Sequence, residues 1–134
     1  MFGTLDISSS ALVAQRQRLE VIASNMANSN SIYDAEGNYA PFRRRLAVFA
    51  AGDPSTGNEA GVHVREIRLD PSPLRKSYEP GHPHADPDGY VHYPNVDPAI
   101  EMINALEASR AYEANITAAE ATKNMLQSAL RLLA

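Results

Sequence analysis

The sequence predicts a mainly α chain, its N- and C-terminal helices packed as a coiled-coil-like core with a small β-rich insert between them. Three observations predict this. All nine prolines lie between Pro41 and Pro98, and every glycine except Gly3 lies between Gly37 and Gly89. Both residues interrupt helices, so the two ends are free to be helical and the middle is not. Apolar residues recur every seven positions at both ends, whereas the middle alternates with period two. The division that follows is 1–32 together with 95–134 as a terminal helical core, and 33–94 as the insert.

The first helix is expected from Asp6 to Asn28, with Asp6 or a following Ser as N-cap. Leu5, Leu12, Leu19 and Met26 form its heptad row, widened by Ile22 and Ala23. Asn28 and Asn30 are its expected terminators, because Asn tolerates the left-handed conformation after a helix.

The second helix has a mechanistic start at Asp97-Pro98: Asp caps, and Pro at the first helical position gives up no hydrogen bond. No Gly or Pro follows before Ala134. Ala105, Tyr112, Ala119, Leu126 and Leu133 form one row, and Met102, Ser109, Ile116, Lys123 and Leu130 the adjacent one. Glu101 and Glu107 early and Arg131 late suit the helix dipole. Glu107–Arg110 and Glu120–Lys123 are expected as i,i+3 pairs. The stripe is weak, since Ala, Ser, Asn and Thr hold seam positions where an independent coiled coil places Leu and Ile. Such ends need each other, and neighbouring copies, to stay helical.

In the middle, Leu46 and Val48 and then Val62, Val64, Ile67 and Leu69 alternate, with a phase slip between Val64 and Ile67 that marks a bulge. Gly52 to Gly57 and Asp70-Pro71-Ser72-Pro73 are loop signals, and Tyr90-Val91-His92-Tyr93 reads as a last short strand. So few apolar residues leave the insert little core of its own.

Several function classes are excluded. A length of 134 residues allows one domain or one helical unit with an insertion, and the net charge of −4 gives no footprint for nucleic acid. The absence of cysteine removes disulfides, thiolate metal sites and a Cys nucleophile. No basic n-region precedes the short apolar run Ala11–Ala14, and no run approaches the ~20 apolar residues of a membrane span. On these rules alone the chain is expected to carry no secretory signal, to make no membrane insertion and to stay in the cytoplasm. His82, His84, Asp86 and Asp88 alternate like metal ligands, but their Pro-rich spacing reads as a solvated loop. The segment also fails as a calcium loop, because Tyr90 takes a ligand position. Arg43-Arg44-Arg45, the one basic run, is expected at an exposed strand edge or against acidic residues of a neighbouring subunit. No Ser/His/Asp set, carboxylate pair or phosphate-cradling Gly loop stands out. The chain is therefore read as no enzyme, with no cofactor and no metal. The competing readings are a helical-hairpin adaptor and a metal-dependent enzyme at the His82–Asp88 loop.

Two stretches carry a family resemblance. Residues Ala11 to Ser31 contain Gln15, Arg18, Leu19, Val21, Ile22, Asn25, Ala27, Asn28 and Asn30 in the spacing of the N-terminal signature of flagellar axial proteins, the rod and hook families. Ser24 and Met26 depart from it mildly. Asn95-Val96-Asp97-Pro98 through Glu101-Met102, then Ala108 to Asn115 and Lys123-Asn124-Met125, resemble the C-terminal helix of the same family. The block Tyr78-Glu79-Pro80-Gly81 through Gly89-Tyr90-Val91 resembles that of the proximal rod members.

The resemblance implies a structural subunit of the flagellar basal body, assembling helically into the drive shaft that transmits torque and encloses the export channel. Its implied partners are further copies of itself, the other proximal and distal rod proteins, the MS-ring junction protein and the type III export apparatus. Its implied location is the rod that spans the periplasm, reached by export without cleavage. The resemblance assigns subunit contacts to Gln15, Arg18, Leu19, Ile22, Asn25, Asn28, Asn30, Met102, Arg110, Tyr112, Asn115, Ile116 and Met125. Asn25, Asn28, Arg110 and Asn115 are the polar ones, for which the alternative is a satisfied surface group.

Overall fold

A computed structural model describes residues 2–134. The element order is α1 (Phe2–Ala27), β1 (Arg45–Asp53), β2 (Asn58–Leu69), β3 (Arg75–Tyr78), β4 (Tyr90–Tyr93) and α2 (Pro98–Leu133). β1 and β2 form an antiparallel hairpin, and β3 pairs antiparallel with β4 in a second two-stranded sheet.

Helix accounts for 46% of the chain and strand for 23%. The mainly α expectation is therefore corrected: two helices frame a substantial antiparallel β region. The strands are longer than their alternation suggested, because β1 and β2 run for 9 and 12 residues. The hairpin finds its apolar partner in α1, which packs against α2 and against both strands. A helix buried on two sides does not show the single stripe of a coiled-coil helix.

The start of α1 is also corrected, since the helix begins at Phe2 and carries Asp6 in its interior. The lone Gly3 costs only about 1 kcal/mol in a helix and does not stop it. Its end follows a different mechanism from the one expected. Among the described residues none other than glycine takes a positive φ. Instead the Asn28 carboxamide donates to the Ser24 carbonyl at 2.9 Å and accepts from the Ser31 hydroxyl at 3.2 Å. The Ser24 carbonyl also accepts from the Asn28 N–H at 3.0 Å, and the Met26 carbonyl, which the helix end leaves open, accepts from the Ser29 N–H at 3.3 Å.

α2 starts where the sequence places it. The Asp97 side chain accepts from the Ala99 N–H at 3.0 Å, and Pro98 is the first helical residue. The helices run antiparallel, with Asn25 beside Glu101 and Arg18 beside Glu107. Of the two rows read for α2, the one through Ala105, Tyr112, Ala119 and Leu126 is half-buried, while Leu133 is exposed. Its companion row is different from the one read. Glu101, Ala108 and Thr122 are buried, with Asn115 and Ala129 half-buried between and beyond them. Met102, Ile116, Lys123 and Leu130 face outward. Apolar weight alone selects the wrong row here, because close approach of two backbones favours small residues over large ones. Neither i,i+3 ion pair of α2 forms among the described residues; Glu107 turns to Arg18 at 3.5 Å instead.

The β region joins α1 through one close approach. Gly61, in β2 at φ +98°, lies so near α1 that an added Cβ would stand 2.7 Å from the Ser10 hydroxyl oxygen. That hydroxyl accepts from the Val62 N–H at 3.2 Å. The register of the hairpin shifts between Val48 and Phe49, leaving Arg65 as the extra residue where the alternation slips. β3 was not anticipated, because Arg75-Lys76-Ser77-Tyr78 has no apolar period.

Candidate functional site

The most enclosed polar groups of the chain meet where four segments converge: the end of α1, the entry to β1, the exit of β2 and the first turn of α2. Asn25 is 1% exposed and Glu101 is fully buried. The Asn25 carboxamide binds both backbone groups of Arg45, donating to its carbonyl at 2.8 Å and accepting from its N–H at 2.9 Å. This is the bond pair that a neighbouring strand would supply, so Asn25 closes the open edge of β1 with a helix. Its amide also reaches Glu101 Oε2 at 3.4 Å.

Arg44 completes the node. Its Nε donates to Glu101 Oε1, and a terminal nitrogen donates to Asp70 Oδ2 at 3.1 Å. Its backbone N–H donates to the Asn95 side chain at 2.8 Å, while its carbonyl accepts from the Asp70 N–H at 2.8 Å. Burial alone would depress the Arg44 guanidinium, but the hydrogen bonds to Glu101 and Asp70 outweigh it and hold the group above its ordinary value. The Asp70 carboxyl lies below its ordinary value, first through hydrogen bonds from Ser72 and then through Arg44.

The basic run is thereby corrected. Arg44 is consumed in this node, and Arg43 donates to the carbonyls of Asp70 at 3.0 Å and Ser72 at 2.8 Å. Only Arg45 projects, with its guanidinium over the Phe42 ring. An arginine whose backbone sits at a strand entry is drawn inward by the carboxylate the fold has buried nearby. Sequence reasoning alone places Glu101 at the dipole end of α2 and in the family motif, Asp70 in a loop and Arg44 at the surface. The available signal was Glu101 on the row of Ala108 and Thr122, where an acid needs a partner.

The resemblance-assigned residues fall into two groups. Ile22 and Asn25 are buried, and Gln15, Arg18, Leu19, Asn28, Tyr112 and Asn115 are half-buried. Asn115 bonds its own helix at the Ala111 carbonyl, and Asn30 accepts from Arg75 at 3.0 Å. Met102, Arg110, Ile116 and Met125 are exposed on α2. They belong to an outward apolar face that includes Ile103, Leu106, Leu130 and Leu132.

In the His82–Asp88 loop, the His84 ring stacks on Tyr39 at 4.6 Å and meets Tyr33 edge-on. The Asp86 carboxylate accepts from the backbone N–H groups of Asp88 and Tyr90. Among the described residues no group of three or more His, Asp or Glu side chains converges on a point that would hold a metal.

Comparisons with known proteins decide among the readings of this arrangement. The family model described as "Flagella basal body rod protein" matches residues 5–31, and that described as "Flagellar basal body rod FlgEFG protein C-terminal" matches residues 88–132. The flagellar basal-body rod protein FlgC of Yersinia enterocolitica is 42% identical over 132 residues, covering 98% of this chain and 97% of the relative. The chain belongs to the FlgC family of flagellar basal-body rod proteins. The FlgC proteins of Bacillus subtilis and Borreliella burgdorferi are 38% and 37% identical, covering 98% and 99% of this chain and 97% of each relative. The FlgC family consists of structural rod subunits, not enzymes. This chain is accordingly a structural subunit of the flagellar basal body, which assembles with other rod proteins. The two family-model matches cover both helices, so the node draws Asn25 from one matched segment and Glu101 from the other.

Proposed function

We propose that this chain is a subunit of the proximal part of the rod and that its neighbours dock on the outward face of α2. The observation that carries this reading is that α2 leaves large apolar side chains exposed, both beside α1 and on the stretch that runs past the end of α1. Met102, Ile103 and Leu106 are each more than half exposed, and so are Met125, Leu130, Leu132 and Leu133. Contiguous exposed apolar surface on a soluble chain marks a protein contact. A subunit of an open helical array meets its neighbours through heterologous contacts that do not close. Met102, Arg110, Ile116 and Met125 are the resemblance-assigned residues that such a neighbour would meet. Gln15, Arg18, Leu19, Ile22, Asn25, Asn28, Asn30, Tyr112 and Asn115 act by shaping the subunit that presents them.

In the same reading residues 1–32 and 95–134 form the unit that lines the tube, and residues 33–94 lie outside it. Further neighbours are other copies, the remaining proximal and distal rod proteins and the MS-ring junction protein. The chain reaches the periplasm through the type III export apparatus without cleavage. No described helix is long and apolar enough to cross a membrane. Intact mass spectrometry of detergent-purified basal bodies tests the reading. The chain is expected there at 14.6 kDa. A clean preparation without it overturns the rod location, and a shortened mass overturns uncleaved export.

A further inference from the structure

The node joins positions 20 to 76 residues apart in sequence. We infer that it is a latch: hairpin pairing and docking of the two helix ends each require the other, so the three elements close as one unit.

The reasoning starts from the cost of a buried charge. Glu101 is fully buried on the seam of α2, and its carboxylate meets Arg44 and Asn25. Docking α1 on α2 without Arg44 would leave that carboxylate without a cation, a strongly destabilising state. Arg44 is held there by the strands. Its carbonyl accepts from the Asp70 N–H across the open end of the hairpin, and its guanidinium bridges Asp70 to Glu101. Asn95, just before α2, holds the Arg44 N–H and also donates to the Asp70 and Ser72 carbonyls. The hairpin in turn depends on the helices, because Asn25 supplies both edge bonds of Arg45. A helical pair without the hairpin leaves Glu101 unpaired, and a hairpin without α1 leaves Arg45 open. The β region is thus a condition of helix docking, not an appendage of a finished coiled coil.

Segment-resolved amide hydrogen exchange on the full chain tests the latch. Segments 20–27, 45–48, 66–70 and 99–105 should open together in the unaltered chain, within about a factor of three of one another. Arg44→Met should accelerate exchange of 20–27 and 99–105 about a hundredfold or more, although the substitution lies in neither helix. Arg44→Met combined with Glu101→Leu removes both charges. It should return protection to the helix ends while the hairpin opens independently and faster. Helix ends that remain protected in Arg44→Met, or hairpin and helix segments that differ more than tenfold in the unaltered chain, overturn the latch. If Arg44→Met does not fold, or the free chain shows no protection, motility of a strain carrying each variant decides. The double variant should swim better than Arg44→Met. Equal or worse swimming overturns the inference.

Discussion

The two ends of α2 present opposite solutions to the same problem of stabilising a helix. At its start the helix is capped by Asp97 and buries Glu101 in a polar node shared with α1 and the hairpin. At its end Leu130, Leu132 and Leu133 are exposed, and Leu132 reaches 88%. The helices have 36 and 26 residues and run antiparallel from the Asn25–Glu101 contact, so α2 extends past Phe2 by roughly ten residues. Thr122 is the last fully buried residue of α2. The difference teaches where α2 has a partner helix within the subunit and where it has none, since apolar side chains such as Met102 and Ile103 are exposed at the node end as well. The node end satisfies its polar groups within one chain, whereas the far end offers apolar surface that only a neighbour can cover.

The largest expected effect breaks the closed end. Asn25→Ala removes both bonds to Arg45 and leaves part-buried backbone groups and the Glu101 carboxylate short of a donor, which should cost about 2 kcal/mol or more in urea unfolding followed by circular dichroism. A loss below 1 kcal/mol would show that water replaces the carboxamide. Next, Gly61→Ala sets a Cβ against the Ser10 hydroxyl at a positive φ. It should cost about 2 kcal/mol, and combining it with Ser10→Ala, which removes the hydroxyl and keeps a good helix former, should recover part of that loss.

Acid should weaken the closed end. The folded-state pKa of Asp70 lies below its ordinary value, so its contribution is fully present above the unfolded pKa of about 4 and is lost as pH falls through the folded value. Asp53 and Glu66 are shifted in the same direction, through hydrogen bonds from Ser55 and from Arg68 and Arg65 respectively. Urea midpoints measured from pH 6 to pH 3 should fall, and Asp70→Asn should make that fall shallower. The smallest effect belongs to the open end. Leu132→Glu should change the stability of the free chain by no more than about 0.5 kcal/mol. The same substitution should reduce swimming of a strain that depends on this chain, and unchanged motility would argue against a contact there.

Much of this arrangement was legible in the sequence. Pro98 after Asp97 located the start of α2, the slip between Val64 and Ile67 located the bulge, and Gly52 to Gly57 located the hairpin turn. The class was misread because α1 buries two faces, with Ala14 and Val21 as its buried apolar residues alongside Ile22. No single heptad row reports such a helix. The second row of α2 was misread because hydropathy favours Met102 and Ile116 over Ala108 and Thr122, although small residues hold the seam. The node was the least legible part. Arg44 and Glu101 each look like surface residues in their own segment, and only the fold brings them together. Asn25, which the motif marks for a subunit contact, makes its bonds here to Arg45 and Glu101 of the same chain.

Thiol labelling tests the contrast between the two ends most directly, since the chain has no cysteine of its own. Single substitutions Leu132→Cys and Ala108→Cys place a probe on the outward overhang and on the fully buried seam. Position 132 should label rapidly in the free chain and become protected in isolated basal bodies, while position 108 should stay protected in both. Rapid labelling at 108 in the free chain, or persistent labelling at 132 in the assembled rod, would contradict the account.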